Sequence, residues 1–397
     1  MKSDFLKILV LPSWYPDSLN DIGGSFFREQ SIALAKCGVK VGVIYPSLRS
    51  LRRPATILTG PYGIKIKNDE GVQTFRSHGM AWFPRMTRIS RWYWLRHGIR
   101  LFEQYINEHG MPDVIHVHSM LNAGALALAL HRRHGIPYVI TEHSSAFARN
   151  LLSDEQMALA TSVATHAEKR FAVSKLFCEL LFHKLGKEAG EWEEMPNIVN
   201  QAFLDHCLQR YTQKKQAFRF LTIALLTENK ATDNLLQAFA MKFARQGGVC
   251  LDIGGDGPER PRLESLVKEL GILEQVRFLG SLSRAQVRDA MADADVFVLP
   301  SHYETFGVVV VEALALGKPV IATRCGGPES IIESGDGVLV PTHDVDALAK
   351  VMTEVFANID RYDPVDIRER CCLRYSEDAV VARLTKVYRE VVESRVC

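Results

Sequence analysis

The chain has 397 residues, enough for two domains that each bury a core, and a content of 47% hydrophobic and 24% charged residues is typical of a globular protein. The formal net charge of +2 favours neither a nucleic-acid partner nor an acidic tail. Eight cysteines without a C-x-x-C pair indicate reduced thiols and argue against a structural zinc site.

The hydropathy pattern predicts a protein that stays inside the cell. The N-terminus has too short an apolar run for a signal peptide, and no stretch approaches the roughly 18 apolar residues of a membrane-spanning helix. Positive charge is concentrated in the first half, because residues 1–200 carry 24 Lys+Arg against 18 Asp+Glu and the remainder carries 24 against 28. We therefore expect a cytoplasmic location.

The first elements predict a βαβ start. A strand at residues 5–11 is followed by a long polar loop, an amphipathic helix at about 26–36 and a second strand at 40–45. Gly23 and Gly24 lie where the loop meets the helix. They lack the G-x-G-x-x-G spacing of a dinucleotide-binding fold, so a nicotinamide enzyme is disfavoured. The pair fits a plain loop turn as well as a contact to a phosphate or an acceptor.

A segment at residues 82–102 interleaves basic and aromatic side chains. They are Arg85, Arg88, Arg91, Arg96 and Arg100, with Trp82, Trp92, Tyr93 and Trp94. Such a pattern is typical of a helix that rests on an anionic membrane surface or receives a lipid diphosphate. On composition alone, a half-buried helix with solvated arginines and packed aromatic rings is slightly favoured over surface attachment.

Two further strands, at residues 113–117 and 137–141, end in polar residues that include His118 and His143. In a parallel sheet both strand ends open on one edge, where α/β proteins bind ligands. The histidines lack the spacing that a metal site would require, so we predict no metal. Taken alone, His118 fits a satisfied core histidine as well as a catalytic one.

The chain is predicted to form two domains of the α/β class. A Gln- and Lys-rich stretch at residues 209–216 is typical of a linker, and strands and helices alternate again from residue 218. We expect one domain at residues 1–200, a second at 201–375 and a C-terminal helix at 376–397.

Two features of the second half suit a phosphate-bearing ligand. Lys230 follows a strand at the turn into a helix, where a lysine is usually solvated, but a diphosphate leaving group needs a cation. Gly255 and Gly257 lie in the next strand-to-helix turn and permit close approach of the backbone to a nucleotide. Asp293-Ala-Asp295 has the form of a metal-binding D-x-D, but its position at a helix end predicts capping and surface charge.

Residues 296–332 carry the strongest functional pattern. They predict a buried strand at 296–299, a polar loop at 301–305 and a helix at 308–316 that is apolar except at Glu312. A carboxylate in an apolar helix loses hydration worth several kcal/mol, on the order of 2–7, unless a polar group meets it. We therefore expect Glu312 to face a cleft or a ligand.

Glu304 precedes Glu312 by eight residues, in the loop that leads into the same helix. Between them lie the N–H groups near Phe306, Gly307 and Val308, and amides at a helix N-terminus form an anion site. Spacing alone also fits a solvated loop glutamate followed by one that pairs with the helix dipole. Carboxylates that accept from hydroxyls, beside amides that hold a phosphate, describe a receptor for a nucleotide diphosphate sugar.

This order of motifs resembles the donor site of the retaining GT-B glycosyltransferases of family 4. The resemblance is carried by Glu304-TFGVVVV-Glu312, by the GKPVIA that follows and by CGGPE. It implies an α/β fold of two Rossmann-like domains with parallel sheets facing an interdomain cleft. It also implies transfer of a sugar from a nucleotide diphosphate sugar to a hydroxyl with retained configuration, without a metal ion or cofactor.

The resemblance further implies roles for single residues. Glu304 would contact the sugar, Glu312 the ribose diol and Lys230 the diphosphate, and His118 would lie near the transferred sugar. Other donor-side residues would be Phe306, Gly307, Val308, Gly255, Gly257 and Leu279, and the acceptor-side residues would be Gly23, Gly24 and His143. One departure concerns Ala224 and Leu225, where the family usually has Gly-Arg, so one phosphate cation is missing or supplied elsewhere.

Many bacterial members of this family glycosylate lipid-linked acceptors. The resemblance therefore implies a carbohydrate or lipid-linked acceptor of surface polysaccharide synthesis and peripheral membrane contact through Trp82 to Arg100, at the inner face of the membrane. No nucleic-acid partner is expected. Two alternatives stay open: a nucleotide-sugar epimerase on the same architecture, and a catalytically silent subunit that binds sugar nucleotides.

Overall fold

A computed structural model of the chain describes residues 5–17, 23–51, 57, 59–83, 86–208 and 217–395. The chain divides into two units. Unit 1 comprises Met1–Val173, Cys178–Ile198 and Val380–Cys397, and unit 2 comprises Ser174–Phe177 and Val199–Ala379. The predicted linker at residues 209–216 lies outside the described residues.

Within the described residues, unit 1 is built on an eight-stranded sheet in the order β3-β4-β2-β1-β5-β6-β7-β8. Its strands are β1 (Lys7–Pro12), β2 (Lys40–Arg49), β3 (Gly63–Asp69), β4 (Val72–Met80), β5 (Val114–His118), β6 (Tyr138–Glu142), β7 (Lys169–Ala172) and β8 (Glu193–Glu194). Neighbouring strands are parallel except β3 and β4. His118 pairs in register with Pro12 of β1 and Thr141 of β6, so the polar strand ends lie side by side.

The helices of this part of the chain connect its parallel strands. They are α1 (Ser25–Lys36), α2 (Thr87–His109), α3 (Ala125–His134), α4 (Asp154–Thr165) and α5 (Lys175–Leu185). The central strands are apolar runs because helices cover both faces of a parallel sheet. Val10, Val43 and Val139 of the sheet pack in one core with Phe27 of α1.

The β3–β4 hairpin was not predicted from the sequence. Its turn places Glu70 and Gly71 at φ of 52° and 93°, and the Asn68 side chain accepts a hydrogen bond of 2.9 Å from the N–H of Gly71. β3 is an edge strand in which Lys65 and Lys67 alternate with isoleucines, a composition that discourages pairing with another chain. This edge turns out to border a basic cavity.

Unit 2 contains six parallel strands in the order β11-β10-β9-β12-β13-β14 among the described residues. The strands are β9 (Phe218–Ile223), β10 (Val249–Gly254), β11 (Val276–Gly280), β12 (Val296–Leu299), β13 (Val320–Thr323) and β14 (Gly337–Val340). The chain proceeds outward from β9 in one direction and then returns to β12 on its other side. Such a switch in strand order opens a crevice at the carboxyl ends of the two strands, which is where ligands bind in open α/β sheets.

The helices of this second part follow the same alternation. They are α6 (Gln201–Leu204), α7 (Thr232–Phe243), α8 (Arg260–Glu269), α9 (Arg284–Asp293), α10 (Val308–Ala315), α11 (Pro328–Ile331), α12 (Val345–Ala357) and α13 (Pro364–Tyr375), followed by α14 (Glu377–Glu393). Val380, Leu384 and Tyr388 of α14 belong to the core of unit 1. None of the helices in the described ranges is long and apolar enough to cross a bilayer.

Two expectations about charged or aromatic segments change in the structure. Asp295 was predicted to be surface charge, which is wrong: its carboxylate is buried and accepts a 2.8 Å hydrogen bond from the N–H of Arg219 at the start of β9. In the basic segment at residues 82–102, helix α2 begins only at Thr87. Its aromatic side chains differ in exposure, since Trp94 is buried whereas Trp92 is exposed. Arg85 lies outside the described residues.

Candidate donor site and histidine pair

The loops that follow β9 and β12 bring Lys230 and Glu304 into contact. Nζ of Lys230 lies 2.6 Å from Oε1 of Glu304, and the two side chains are 24% and 14% exposed. The hydroxyl of Ser301 donates to the same carboxylate oxygen over 2.8 Å. Two residues predicted from separate motifs thus meet at the carboxyl edge of the sheet, where the strand order switches.

Asn229 joins these two loops directly. Its carbonyl oxygen accepts a 2.8 Å hydrogen bond from the N–H of His302, and its side-chain amide donates to the carbonyl of Tyr303 over 3.0 Å. Sequence reasoning missed Asn229 and Ser301. Both sit one to three residues from a predicted site residue, but no spacing distinguishes them from other polar loop residues.

The CGGPE segment supports the backbone of Glu304. The N–H of Glu304 donates to the carbonyl of Cys325 and its own carbonyl accepts from the N–H of Gly327, each over 2.9 Å. A Cβ on Gly326 would lie 2.6 Å from the Glu304 carbonyl oxygen, and one on Gly327 would lie 2.0 Å from that of Phe306. These glycines are therefore required because two loops approach closely, which is a structural reason for the motif.

The N-terminus of α10 adjoins the Glu304 loop. Gly307 caps the helix with a left-handed φ of 98°, and Val308 is its first residue. The Phe306 side chain is buried, with its ring centroid 5.9 Å from that of Tyr375, so this residue offers a ligand only its backbone. Because the first N–H groups of a helix have no partner within it and lie at the positive end of its dipole, this terminus suits an anion.

Glu312 is 1% exposed and forms an ion pair with Nη1 of Arg284. Arg284 is the first residue of α9, and its Cζ lies 5.1 Å from the ring centre of Phe203. The polar group expected to meet Glu312 is thus at least in part a guanidinium. Ser283 and Gln286 form a capping box at the start of this helix, and nothing in the sequence relates Arg284 to a residue 28 positions away.

Gly255 and Gly257 have a role within the chain itself. Gly255 has a φ of 112°, and a Cβ there would lie 1.8 Å from the carbonyl oxygen of Ala224; one on Gly257 would lie 2.3 Å from that of Leu226. The loop after β10 therefore packs directly on the loop after β9. Leu279 is a partly buried residue of β11. A contact of these residues with a donor stays a prediction.

Leu225 occupies the position where the family usually has an arginine. The side chain is 62% exposed, and Lys230 follows it on the same loop. Among the described residues, no group of three or more His, Cys, Asp and Glu is arranged to hold a metal ion.

In unit 1, His118 and His143 meet at the ends of β5 and β6. Nδ1 of His118 lies 3.0 Å from Nε2 of His143, and the Phe27 ring packs against both, at centroid distances of 4.6 and 4.8 Å. Burial holds the pKa of each imidazole well below its usual value, and the neighbouring His116 lowers both further. Both rings are therefore neutral near pH 7, and their contact with a substrate stays a prediction.

Glu142 fixes the backbone around this histidine pair. Its buried carboxylate accepts hydrogen bonds of 2.8, 2.9 and 2.8 Å from the N–H groups of Met120, His143 and Ser144. Burial raises the pKa of the Glu142 carboxyl, and these three donors oppose the effect. The sequence indicated polar residues at both strand ends but not that Glu142 connects them.

Of the two glycines before α1, Gly24 has a clear structural role and Gly23 lies at the surface. Gly24 is the N-cap of the helix with a φ of 80°, and a Cβ there would lie 2.9 Å from the indole of Trp14. Gly23 is exposed. An acceptor contact of either residue stays a prediction.

Comparison with known proteins identifies the family to which the chain belongs. Family models described as Glycosyltransferase Family 4 and Glycosyl transferases group 1 match residues 23–203 and 208–368. The D-inositol 3-phosphate glycosyltransferase of Corynebacterium urealyticum is 36% identical over 327 residues, which cover 72% of this chain and 74% of the relative. The chain belongs to glycosyltransferase family 4. The predicted enzyme class, a glycosyltransferase, is confirmed.

Two further similarities concern a curated relative and the fold. Glycogen synthase of Mycobacterium tuberculosis is 26% identical over 363 residues, covering 88% of this chain and 86% of the relative. The structure of Alr3699/HepE from Anabaena in complex with UDP aligns with a TM-score of 0.73 at 17% identity, covering 97% of this chain and all of that one. The predicted fold class, GT-B with two Rossmann-like α/β units, is confirmed.

Proposed function

We propose that this family 4 glycosyltransferase takes its sugar from a nucleotide diphosphate sugar and transfers it to a hydroxyl with retained configuration and without a metal ion. The contact between Lys230 and Glu304 beside the N-terminus of α10 is the observation that carries the proposal. A diphosphate ligand is supported by HepE, whose structure contains UDP.

The charge that develops on the departing diphosphate requires stabilisation. Lys230 and the first N–H groups of α10 supply a cation and oriented dipoles in one place, which is the electrostatic work that a metal ion performs in other transferases. Glu304 compensates the charge of Lys230. When the donor binds, the sugar hydroxyls donate to Glu304 and the phosphate oxygens accept from Lys230, so each member of the ion pair gains a new partner.

The contacts of the two carboxylates support a front-face route to the proposed retention, without a covalent intermediate. Glu304 accepts from Lys230 and Ser301, and Glu312 is paired with Arg284, so neither is free to attack the anomeric carbon. The acceptor oxygen then approaches from the side that the diphosphate leaves. The bond from the anomeric carbon to the phosphate oxygen breaks, the bond to the acceptor oxygen forms, and the acceptor proton passes to the leaving phosphate. Glu312 binds the ribose diol of the donor.

The test is incubation of the purified protein with UDP-, GDP- and ADP-sugars while released nucleotide diphosphate is measured, with and without EDTA. We expect slow hydrolysis of one donor, unchanged by EDTA, and a loss of at least tenfold in Lys230→Ala and Glu304→Gln. Exposed residues of unit 2 provide matched controls, Lys242→Ala and Glu269→Gln, which should retain full activity. Epimer formation, or binding without turnover, would contradict the proposal.

The acceptor is proposed to be a carbohydrate or lipid-linked intermediate of bacterial surface polysaccharide synthesis, reached at an anionic membrane surface. Five apolar side chains around the start of α2 are between 36% and 57% exposed: Trp82, Phe83, Met86, Ile89 and Trp92. The Cζ atom of Arg96 lies 5.7 Å from the Trp92 ring centre, so a cation accompanies the apolar surface. Apolar rings with flanking arginines suit the headgroup region of an anionic bilayer.

Vesicle sedimentation tests this membrane contact. Wild-type protein should sediment with vesicles of anionic lipid and be released by high salt, because surface charges are screened. Trp92→Ser should lower the bound fraction severalfold. Leu151→Ser, at an exposed residue in another part of unit 1, should not. Equal binding by both variants, or no binding by the wild type, would refute the membrane proposal.

A further inference from the structure

A cavity of about 600 Å³ lies at the β3–β4 edge of the unit 1 sheet. Its lining comes from β2, β3 and β4, from α1 and from the loop after β1. The volume falls within the range of small-molecule sites and exceeds what a single inorganic ion occupies. The donor-site residues of unit 2 and the two paired histidines are not part of this lining.

Positive charge predominates in the lining. Its charged residues are Arg28, Arg49, Lys65, Lys67 and Arg76, with Asp17 and Asp69. Asp69 accepts two hydrogen bonds of 2.6 Å from Arg28, and Asp17 pairs with Arg76 over 2.9 Å, so two of the arginines are compensated. The other three cations form no ion pair with any residue that the structure describes.

Arg49 brings unused hydrogen-bonding capacity to the cavity. Its Nη1 donates to the carbonyl of Pro61, and its Cζ lies 4.8 Å from the ring centre of Tyr62. Its Nε and Nη2 are buried and have no hydrogen-bond partner within the described ranges. Buried donors of a charged group cost stability unless they are paired, and two oxygen atoms of one anion would pair both.

The imidazole of His78 also lines the cavity, and the same charges act on it. Burial lowers the pKa of His78, Asp17 opposes this, and Arg76, Lys65 and Arg49 lower it further. The ring is therefore neutral near pH 7. A neutral imidazole beside three cations can donate to, or accept from, a partly protonated phosphate.

We infer that this cavity binds a phosphate or diphosphate group carried by the acceptor. Three cations without an ion pair among the described residues carry more positive charge than a single carboxylate would neutralise, which suits a phosphate dianion. The remaining volume accommodates the sugar or polyol to which the phosphate is attached. The assignment to the acceptor rests on the proposed function, in which Lys230 of unit 2 holds the diphosphate of the donor. The same group occurs in a soluble sugar phosphate and in a lipid diphosphate headgroup.

Two probes separate these sources. Glucose 6-phosphate is titrated calorimetrically into the full-length protein saturated with UDP, so that the donor site is occupied. Sedimentation is measured with phosphatidylcholine vesicles that contain or lack a polyprenyl diphosphate. The variants are Arg49→Gln and the double variant Lys65→Gln/Lys67→Gln, and the control is Lys187→Gln, at an exposed lysine of the same unit.

We expect both cavity variants to weaken binding of at least one probe about tenfold or more and the control to leave it unchanged. Loss of glucose 6-phosphate binding supports a soluble acceptor, and loss confined to polyprenyl diphosphate vesicles supports a lipid one. Wild type that binds neither probe, or variants that bind both as well as the wild type, would overturn the inference.

The affinity for UDP, measured in the same protein samples, tests the proposed function separately. The cavity variants should bind UDP like the wild type, which also confirms that they are folded. Wild type that binds a phosphate probe but no nucleotide would contradict the proposed donor while the cavity stands as an anion site. The reverse result would refute the cavity and leave the donor site intact.

Discussion

Arg284 provides the sharpest test of how unit 2 tolerates a buried carboxylate. Glu312 is 1% exposed, and the variant Arg284→Met removes the guanidinium that pairs with it. Breaking a buried ion pair from one side costs about 3–5 kcal/mol. The cost has an upper bound, however, because the carboxyl can take up a proton instead of staying charged.

That bound depends on pH. Protonating a carboxyl with an ordinary pKa near 4.3 costs about 3.7 kcal/mol at pH 7 and about 1 kcal/mol at pH 5. A buried carboxyl that has lost its cation is more easily tolerated in its neutral form, and the cost of reaching that form falls with the pH. The stability deficit of Arg284→Met should therefore shrink as the pH falls from 7 to 5.

Urea unfolding at pH 5, 6 and 7 measures this deficit for the wild type, Arg284→Met, Glu312→Gln and the double variant. We expect a deficit near 3 kcal/mol at pH 7, and the double variant should recover much of it because no charge stays buried. Arg262→Met is the control, since Arg262 is a half-exposed residue whose ion pairs should contribute less than about 1 kcal/mol. A deficit that is absent, or that does not change with pH, would refute the reasoning.

Three further changes have definite expected outcomes. Gly255→Ala should lower the free energy of unfolding by at least ~2 kcal/mol, because its Cβ would meet a carbonyl oxygen 1.8 Å away at a φ of 112°. The free energy of unfolding should fall as the pH drops below about 6.5, because unfolding lets three buried neutral histidines, His116, His118 and His143, take up protons. Burial lowers the pKa of His116 to about 3. In His143→Phe, the number of protons taken up on unfolding should be smaller by about one. Tyr388→Phe should cost about 1–2 kcal/mol, because its hydroxyl lies 2.6 Å from Nδ1 of His116 inside the core.

Each of these has a measurement that can contradict it. Urea midpoints would show Gly255→Ala unchanged if the loops could separate, whereas Gly247→Ala, with nothing within 4 Å of its Cβ, should be near neutral in either case. A flat stability profile between pH 7 and 5 would exclude the histidine argument. Tyr62→Phe, at a half-exposed tyrosine whose hydroxyl donates to the carbonyl of Ile57, controls for Tyr388→Phe and should cost less.

Much of the fold class could be predicted because parallel strands are recognisable locally. Strands buried on both faces appear as apolar runs, and the helices between them show the hydrophobic period of an α-helix. The alternation of strands and helices can therefore be recognised in short windows of sequence. The predicted helix after Gly307 follows from the same patterns, and so does the expectation that a polar group meets Glu312, whereas the identity of that group does not. The β3–β4 hairpin could not be predicted in this way, because β3 is an edge strand with alternating lysines and lacks an apolar run.

The sequence by itself therefore determined the repeated strand-helix order, the family and the residue types of the donor site. Tertiary structure alone decided which of those residues meet: Lys230 with Glu304, Arg284 with Glu312, and the basic cavity around Arg49. The physical reason is that period and capping depend on residues a few positions apart, whereas the partner of a buried charge is chosen by how distant segments pack.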